Sequence, residues 1–157
     1  MAAQAGSEVE MPSHSTDSPI RQDLRLAMLP PRAVYALRAM AVLANLAPGE
    51  SISGQLLAEQ GSIPGAFVSK VMRRLVQGGL VASQRGHGGG FRMAVPPATV
   101  NFRAVLESVG FALDSTRCVF GLRACDETAP CALHRTWSDL RDALSEWADA
   151  STLAHRR

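Results

Sequence analysis

The chain has 157 residues, of which 46% are hydrophobic and 19% charged, a composition that suits one globular unit with its own core. No apolar run approaches the length of a membrane span, and the acidic first residues lack the pattern of a signal peptide. We therefore predict a cytoplasmic protein with no membrane partner. Residues 31–95 hold seven Lys or Arg against two acids. This basic middle third suits a nucleic-acid partner, although a solvated surface can carry similar charge.

The first half of the chain predicts a disordered extension followed by a helical unit. Residues 1–30 are rich in Ser, Ala, Pro and acids and show no sustained period, which is typical of disorder. Beyond them, apolar positions recur with the period of a helix, and the pairs Pro48-Gly49 and Gly61-Ser62 interrupt the pattern. The predicted helices cover residues 32–46, 54–59 and 64–77.

A short β-hairpin is predicted directly after the third helix. Residues 80–84 and 91–95 have the composition and alternation of strands, and the run between them contains four glycines flanked by Arg85 and Arg92. Helix, turn, helix and hairpin follow one another as in a winged helix-turn-helix domain. We therefore predict a mainly α fold with a small β-hairpin, in which residues 31–97 form the DNA-binding domain.

Residues 98–157 are predicted to contain a helix over 101–109, an irregular loop with all three cysteines, and a long C-terminal dimerisation helix. In that last helix, over 133–153, large apolar residues step by three and four positions along one seam, as in a coiled coil. In a monomer this seam would pack on the core of its own chain. Because a winged-helix unit has a small core, we expect the seam to form the interface of a homodimer. The seam residues are Trp137, Leu140, Leu144 and Trp147.

The third helix is the candidate recognition helix, because the second helix of a helix-turn-helix motif enters the major groove of DNA. Lys70, Arg73 and Arg74 lie three and four positions apart and share one face of this helix. Such a face can contact phosphates and the edges of guanine bases. A solvated helix face carries similar residues, so the helix alone does not separate the two interpretations.

The glycine-rich hairpin strengthens the DNA-binding interpretation. Glycines let the backbone approach a phosphate or a groove wall closely, and arginines at the base of such a loop suit the minor groove. The loop is not a P-loop, because it lacks the Lys-Ser/Thr pair and lies between two strands. For His87 at the tip of the loop, two roles stay open: contact with the DNA backbone, or no contact, as a solvated loop residue. The candidate DNA-binding residues are Phe67, Ser69, Lys70, Arg73, Arg74, Arg85, Gly86, His87, Gly88 and Arg92.

Three cysteines lie within 14 residues and precede a histidine at the start of the last helix, in the pattern Cys118-x6-Cys125-x5-Cys131-x2-His134. In a cytosolic chain, clustered cysteines point to metal or redox chemistry more than to disulfides. Thiolates and imidazole are ligands of iron–sulfur clusters and of zinc. Because the intervals are wider than those of C-x2-C zinc knuckles, a cluster ranks first. A structural zinc site and a metal-free redox thiol switch stay open.

These motifs resemble the Rrf family of transcription regulators, in particular its IscR branch, over about residues 32–153. The wing and the cysteine loop together make the resemblance specific. The motifs that carry it are Tyr-Ala-Leu-Arg-Ala-Met at 35–40, Gly-Leu-Val at 79–81, Arg-Gly-His-Gly-Gly-Gly-Phe at 85–91, Cys-Ala-Leu-His at 131–134 and Trp-Ser-Asp-Leu at 137–140.

The resemblance implies a homodimer that binds palindromic promoter DNA and senses iron–sulfur status, iron, redox state or nitric oxide. In the IscR branch three cysteines and one histidine hold a [2Fe-2S] cluster, and the matching residues are Cys118, Cys125, Cys131 and His134. In the NsrR branch an aspartate near the start of the first helix, from the other subunit, completes a [4Fe-4S] site. The comparable positions 32–35 contain no acid, which favours His134 and [2Fe-2S] over [4Fe-4S].

Two other classes of function fit the sequence less well. A zinc deaminase would need a His-x-Glu motif beside the cysteines, and the chain has none. No nucleophile–base pair indicates another reaction, so we predict that the protein is not an enzyme. A winged helix with a long helical handle can also act as a protein-interaction scaffold. Salt-dependent binding to promoter DNA would separate a regulator from such a scaffold.

Overall fold

The computed structural model describes residues 29–86, 88–113 and 127–154. Over these residues the fold is mainly helical, with one two-stranded antiparallel sheet, as the sequence predicts. In this part of the chain no helix has the length and apolar character needed to cross a membrane. The elements in chain order are α1 (Pro31–Ala44), α2 (Gly54–Gln60), α3 (Gly65–Gln77), β1 (Val81–Gln84), β2 (Gly90–Met93), a 3₁₀ turn (Pro97–Thr99), α4 (Phe102–Ser108) and α5 (His134–Ala150).

Helix α1 lies at the centre of the core because one of its faces is built from alanines. Ala33, Ala36 and Ala39 have no exposed surface, and their small side chains let α3 and α4 pack closely on the same helix. Met40 and Leu43 fill the remaining space and are also buried. Burial of each such large apolar side chain stabilises the fold by about 1.5–3 kcal/mol.

Helices α2 and α3 form the helix-turn-helix. Ser53 caps α2, since its hydroxyl accepts a hydrogen bond from the backbone N of Leu56 at 3.3 Å, which satisfies one of the free N–H groups of the first turn. In the turn that leads to α3, Ser62 has a positive φ of 49°. Arg38 of α1 donates from Nη1 to the carbonyl oxygen of Ser62 at 3.0 Å. This bond ties the turn to the central helix.

The wing is a two-stranded hairpin with a third short segment on its other edge. Strands β1 and β2 are antiparallel, with Gln84 opposite Gly90. On the far side of β2, Ile52 and Phe91 exchange two backbone hydrogen bonds of 3.0 and 2.8 Å. Gly90 is required at this junction, because a Cβ atom there would lie 2.3 Å from the carbonyl oxygen of Ile52. The hairpin is thus attached to the segment that precedes α2.

The structure moves several predicted boundaries by one to three residues. The last helix ends at Ala150 and not at residue 153, because the residues that follow pair with the chain before α4. Leu153 donates from its backbone N to the carbonyl oxygen of Val100 at 3.1 Å. At the other end, Leu29 is buried in the core at 8% exposure, so the packed unit includes this residue of the predicted extension. The rest of the predicted extension, residues 1–28, lies outside the described residues.

We expect Gly90→Ala to lower the free energy of unfolding by about 1–3 kcal/mol, the usual cost of forcing an extra methyl group into filled space. Equilibrium urea unfolding measures this loss. Gly65→Ala is the matched control, because nothing lies within 4 Å of a Cβ atom at that position and alanine is the better helix former. Equal losses of stability in both variants would contradict the packing argument.

Candidate DNA interface and cysteine loop

Helix α3 presents to solvent the side chains that the sequence assigns to DNA contact. Its apolar positions are buried against the core and fix the rotation of the helix; they are Val68, Val71, Met72 and Leu75. The opposite side carries three cations, and the sequence of α3 contains no acid. The exposed candidate residues of this helix are Phe67, Ser69, Lys70, Arg73 and Arg74. Helix α3 therefore contributes three positive charges and no negative charge to this surface.

Two residues of α1 position the start of α3, and the sequence analysis missed both. The ring of Tyr35 packs against Phe67 with ring centroids 5.1 Å apart, so Phe67, at 38% exposure, packs inside the protein as well as facing solvent. Arg38, three positions after Tyr35, holds the turn before α3 through Ser62. Residues three positions apart share a helix face. The sequence shows a tyrosine and an arginine at this spacing on a helix that is otherwise mostly apolar, and this pattern could have indicated their role.

The predicted wing residues fall into two groups. The exposed residues at the turn of the hairpin are Arg85, Gly86 and Gly88. The Oγ atom of Ser51 donates to the carbonyl oxygen of Gly88 at 3.0 Å, which anchors this turn. Arg92 lies on β2, is partly buried and lines a groove that is also lined by Glu50 of the loop between α1 and α2. His87 lies outside the described residues. The structure therefore brings Arg85 to the tip and separates Arg92 from it.

The described part of the cysteine motif contributes one thiol and one imidazole. Cys131 is exposed, and its thiol is free among the residues that the structure describes. The backbone N of His134 donates to the carbonyl oxygen of Cys131 at 3.0 Å, so both residues lie on one turn where α5 begins. Cys118 and Cys125 lie outside the described residues. Within the ranges that the structure describes, no three His, Cys, Asp or Glu side chains are grouped as a metal site.

The indole of Trp137 lies one helical turn beyond His134. Its Nε1 atom is buried and has no hydrogen-bond partner in the described part of the chain. Leaving such a donor unsatisfied costs about 1–3 kcal/mol, and a thiolate or sulfide acceptor would remove that cost. The thiol of Cys131 and the imidazole of His134, on one turn, are ligand types that fit a metal–sulfur group at the start of α5. The same thiol and imidazole would also suit zinc.

The predicted seam of α5 is divided between the core and the surface. Leu144 packs partly buried against the core, and the ring of Trp147 meets Phe102 of α4 edge-to-face with centroids 5.2 Å apart. Leu140 is 43% exposed and Trp147 39% exposed. Part of the seam thus packs on its own chain, as the monomer alternative requires, and part stays open to solvent.

Arg103 joins α4 to α5 through several polar contacts. Its Nε and Nη2 atoms lie 2.5 and 2.9 Å from the two carboxylate oxygens of Asp149, a bidentate geometry that favours strong pairing. Nη2 also donates to the hydroxyl of Ser145, and Nη1 lies 3.5 Å from Glu107. The hydrogen bonds from Arg103, and its charge, hold the pKa of Asp149 below its usual value. These contacts fix the end of α5 on the winged-helix unit.

The Rrf2 family profile, described as "Iron-dependent Transcriptional regulator", matches residues 29–155. The chain belongs to this family. The HTH-type transcriptional regulator IscR of Yersinia enterocolitica is 31% identical over 120 residues, which cover 76% of this chain and 73% of that protein. The solved structure of CymR, the global cysteine regulator of B. subtilis, superposes with a TM-score of 0.66 at 22% identity, covering 80% of this chain and 92% of that one. The solved structure of T. potens IscR superposes with a TM-score of 0.63 at 21% identity, covering 82% of this chain and 86% of that one.

Membership of the Rrf2 family confirms three predictions. The relatives are named as transcriptional regulators and not as enzymes, which confirms the non-enzymatic class. Their shared helix-turn-helix name confirms the DNA-binding class of regulator. The similarity to CymR and IscR structures confirms the winged-helix fold. This Rrf2 protein is therefore a DNA-binding transcriptional regulator whose α2 and α3 form the helix-turn-helix.

Proposed function

We propose that this Rrf2 protein is a cytoplasmic homodimer that binds palindromic promoter DNA with an affinity set by an iron–sulfur cluster. The proposed ligands are Cys118, Cys125, Cys131 and His134, and [2Fe-2S] is favoured over [4Fe-4S]. The observation that carries the DNA-binding half is the exposed, acid-free basic side of α3. The sensing half is supported by the thiol and imidazole on one turn at the start of α5, in a family described as iron-dependent.

The dimensions and charge of α3 suit insertion into the major groove. Its 13 residues make a rod of about 20 Å, and the groove is about 12 Å wide. Ser69 and Arg73 are four positions apart on the exposed side and can reach base edges. Lys70 and Arg74 are also four positions apart, on the adjacent row of the exposed side, and their positive charges are suited to phosphates. Arg85 at the hairpin tip is suited to the adjacent minor groove.

The cysteine loop is the proposed sensor. An iron–sulfur cluster held there would supply a group that changes charge with redox state and is lost when iron is scarce. The protein contributes thiolate and imidazole ligands, and the Nε1–H of Trp137 can donate to a sulfur atom. Such a donor stabilises negative charge on the sulfur. Cys131 and His134 lie at the first turn of α5, so occupation of the site acts directly on this helix.

Helix α5 offers a mechanical connection between the sensor and the DNA-binding unit. Its C-terminal half is fixed to α4 by the Arg103–Asp149 pair and by the contact of Trp147 with Phe102. Helix α4 in turn packs on α1 and on α3, the recognition helix. A shift of α5 caused by the state of the cluster therefore reaches α3 through packed helices. In a dimer such a shift changes the spacing of the two recognition helices and hence operator affinity.

The exposed side of α5 supports the proposed dimer. Leu133 at the N-terminal cap of α5, and Leu140 and Trp147 within the helix, are large apolar side chains with 39–48% of their surface exposed. They are seven positions apart, so they lie on the same side of the helix. A two-fold dimer through this face buries the same residues from both chains. It also presents two identical recognition helices, which is the reason to expect a palindromic operator.

A second candidate is a regulator whose cysteines act without an iron–sulfur cluster. The free, exposed thiol of Cys131 is accessible to oxidants, which suits a redox thiol switch. Zinc would also accept the thiolates and the imidazole. Both alternatives keep the DNA-binding half of the proposal and replace only the sensing chemistry.

Arg73→Ala is expected to weaken binding to a fragment of the protein's own promoter region by about 1–3 kcal/mol, because it removes a side chain placed to reach base edges. Fluorescence anisotropy over a salt series measures the affinity. Arg135→Ala is the control, since Arg135 is an exposed cation on α5. Loss of affinity in the control alone would contradict the assignment of α3, and salt-independent binding by the wild type would contradict phosphate contact.

Cys125→Ala is expected to remove the visible absorption, iron and sulfide of anaerobically purified protein, because one of four cluster ligands is lost. Thr136→Ala, at an exposed position in the first turn of α5, should retain the absorption, the iron and the sulfide. Circular dichroism checks that both variants fold. Colourless wild-type protein with one zinc per chain would contradict the cluster and favour the zinc site. An unchanged spectrum in Cys125→Ala would remove this residue from the ligand set.

Leu140→Glu is expected to shift the protein from dimer to monomer, because it places charge in the proposed apolar interface. Analytical ultracentrifugation at several concentrations measures the mass. Asp142→Lys also changes charge, on the other side of α5, and should leave the dimer intact. A wild-type monomer at every concentration, or a dimer that persists in Leu140→Glu, would contradict this interface.

A further inference from the structure

A shallow cavity of about 420 Å³ lies between the start of α1, one flank of α3 and the residues after α4. Three cations line it: Arg32 from α1, and Lys70 and Arg74 from α3. Its floor is apolar and contains Phe67, Val71 and Val109. The cavity therefore joins two side chains of the recognition helix to a third cation that is far from them in sequence.

The positive charge of this cavity has no counterion in the described part of the chain. Its lining contains no acid, and within the described ranges neither Lys70 nor Arg74 forms an ion pair. Arg32 donates from Nη2 to the carbonyl oxygen of Gly110 at 3.1 Å, which orients the guanidinium and leaves its charge in place. Three like charges around one cavity repel each other, and a bound anion would relieve that repulsion.

The cavity lies at the edge between the buried and the exposed sides of α3. Val71, which lines it, is buried, whereas Phe67, Lys70 and Arg74 are exposed. A helix in the major groove has one phosphate backbone on each flank. Cations at this edge of the helix are therefore placed to meet one of these backbones.

We infer that Arg32, Lys70 and Arg74 form a binding pocket for one phosphate of the DNA backbone. The inference rests on the proposed DNA-binding function and adds α1 to the interface. Guanidinium groups match the fork of phosphate oxygens, and the ammonium group adds a point charge. The apolar floor offers a surface for the adjoining deoxyribose.

The pocket also touches the segment that leads towards the cysteines. Gly110 follows α4 and precedes Cys118 by eight residues, and its carbonyl oxygen is the acceptor that orients Arg32. The phosphate pocket is therefore the part of the proposed DNA surface that lies closest in sequence to the sensor loop. A change in the position of Gly110 would change the direction of a DNA-contacting guanidinium.

The test compares wild type, Arg32→Ala, Arg32→Lys and Arg141→Ala for binding to the promoter fragment and to an unrelated duplex of equal length. Arg32→Ala should weaken binding to both duplexes by a similar factor, on the order of 3–10-fold, since a phosphate contact carries no base information. The slope of log K against log salt should fall by about 0.9 for each lost contact. Arg32→Lys should restore the slope, and Arg141→Ala, on α5, should not change it.

An unchanged salt slope in Arg32→Ala, with normal wild-type binding, would overturn the pocket and leave the proposed DNA-binding function intact. Absence of salt-dependent binding by the wild type would overturn both. Titration with inorganic phosphate at constant ionic strength, followed by NMR, separates a free anion from DNA. Phosphate binding that requires Arg32, combined with an unchanged DNA salt slope, would identify a site for a free anion and contradict the DNA assignment. Thermal unfolding of Arg32→Ala checks that the fold is retained.

Discussion

The alanine face of α1 allows three helices to meet at short distance, and the rest of the molecule depends on this packing. Ala33, Ala36 and Ala39 are fully buried, so α3 and α4 can both rest on one central helix. Larger side chains at these positions would separate the helices and leave unfilled space beside them. The same helix supplies Tyr35 and Arg38, which hold the start of α3 and its preceding turn. The same helix therefore both organises the core and positions the recognition helix.

In the described part of the chain, helix α5 meets the winged-helix unit mainly through α4. Arg103 pairs with Asp149, and Phe102 packs against Trp147. Ala148 is fully buried at the same end of the helix. The proposed ligands Cys131 and His134 lie at the opposite end, so the length of α5 joins the proposed sensor to this contact.

Most of the fold could be predicted from the sequence because its signals are local. The apolar period of α3, the Ser53 cap and the glycine-rich hairpin each act within a few residues, so their elements appear within one to three residues of the predicted bounds. The end of α5 was placed too late because pairing of Leu153 with Val100 joins residues that are distant in sequence. The exposure of Lys70 and Arg73 followed from the period of α3 alone.

The order of the elements, the basic side of the recognition helix and the spacing of the cysteine motif can be read from the amino-acid sequence. Which side chains meet depends on the three-dimensional packing of the elements. It placed Arg92 in a groove behind the wing tip, and it divided the α5 seam between core and solvent. It also brought Arg32 to Lys70 and Arg74. Local patterns fix the face of an element, whereas contacts between elements depend on how close the alanine face of α1 lets them approach.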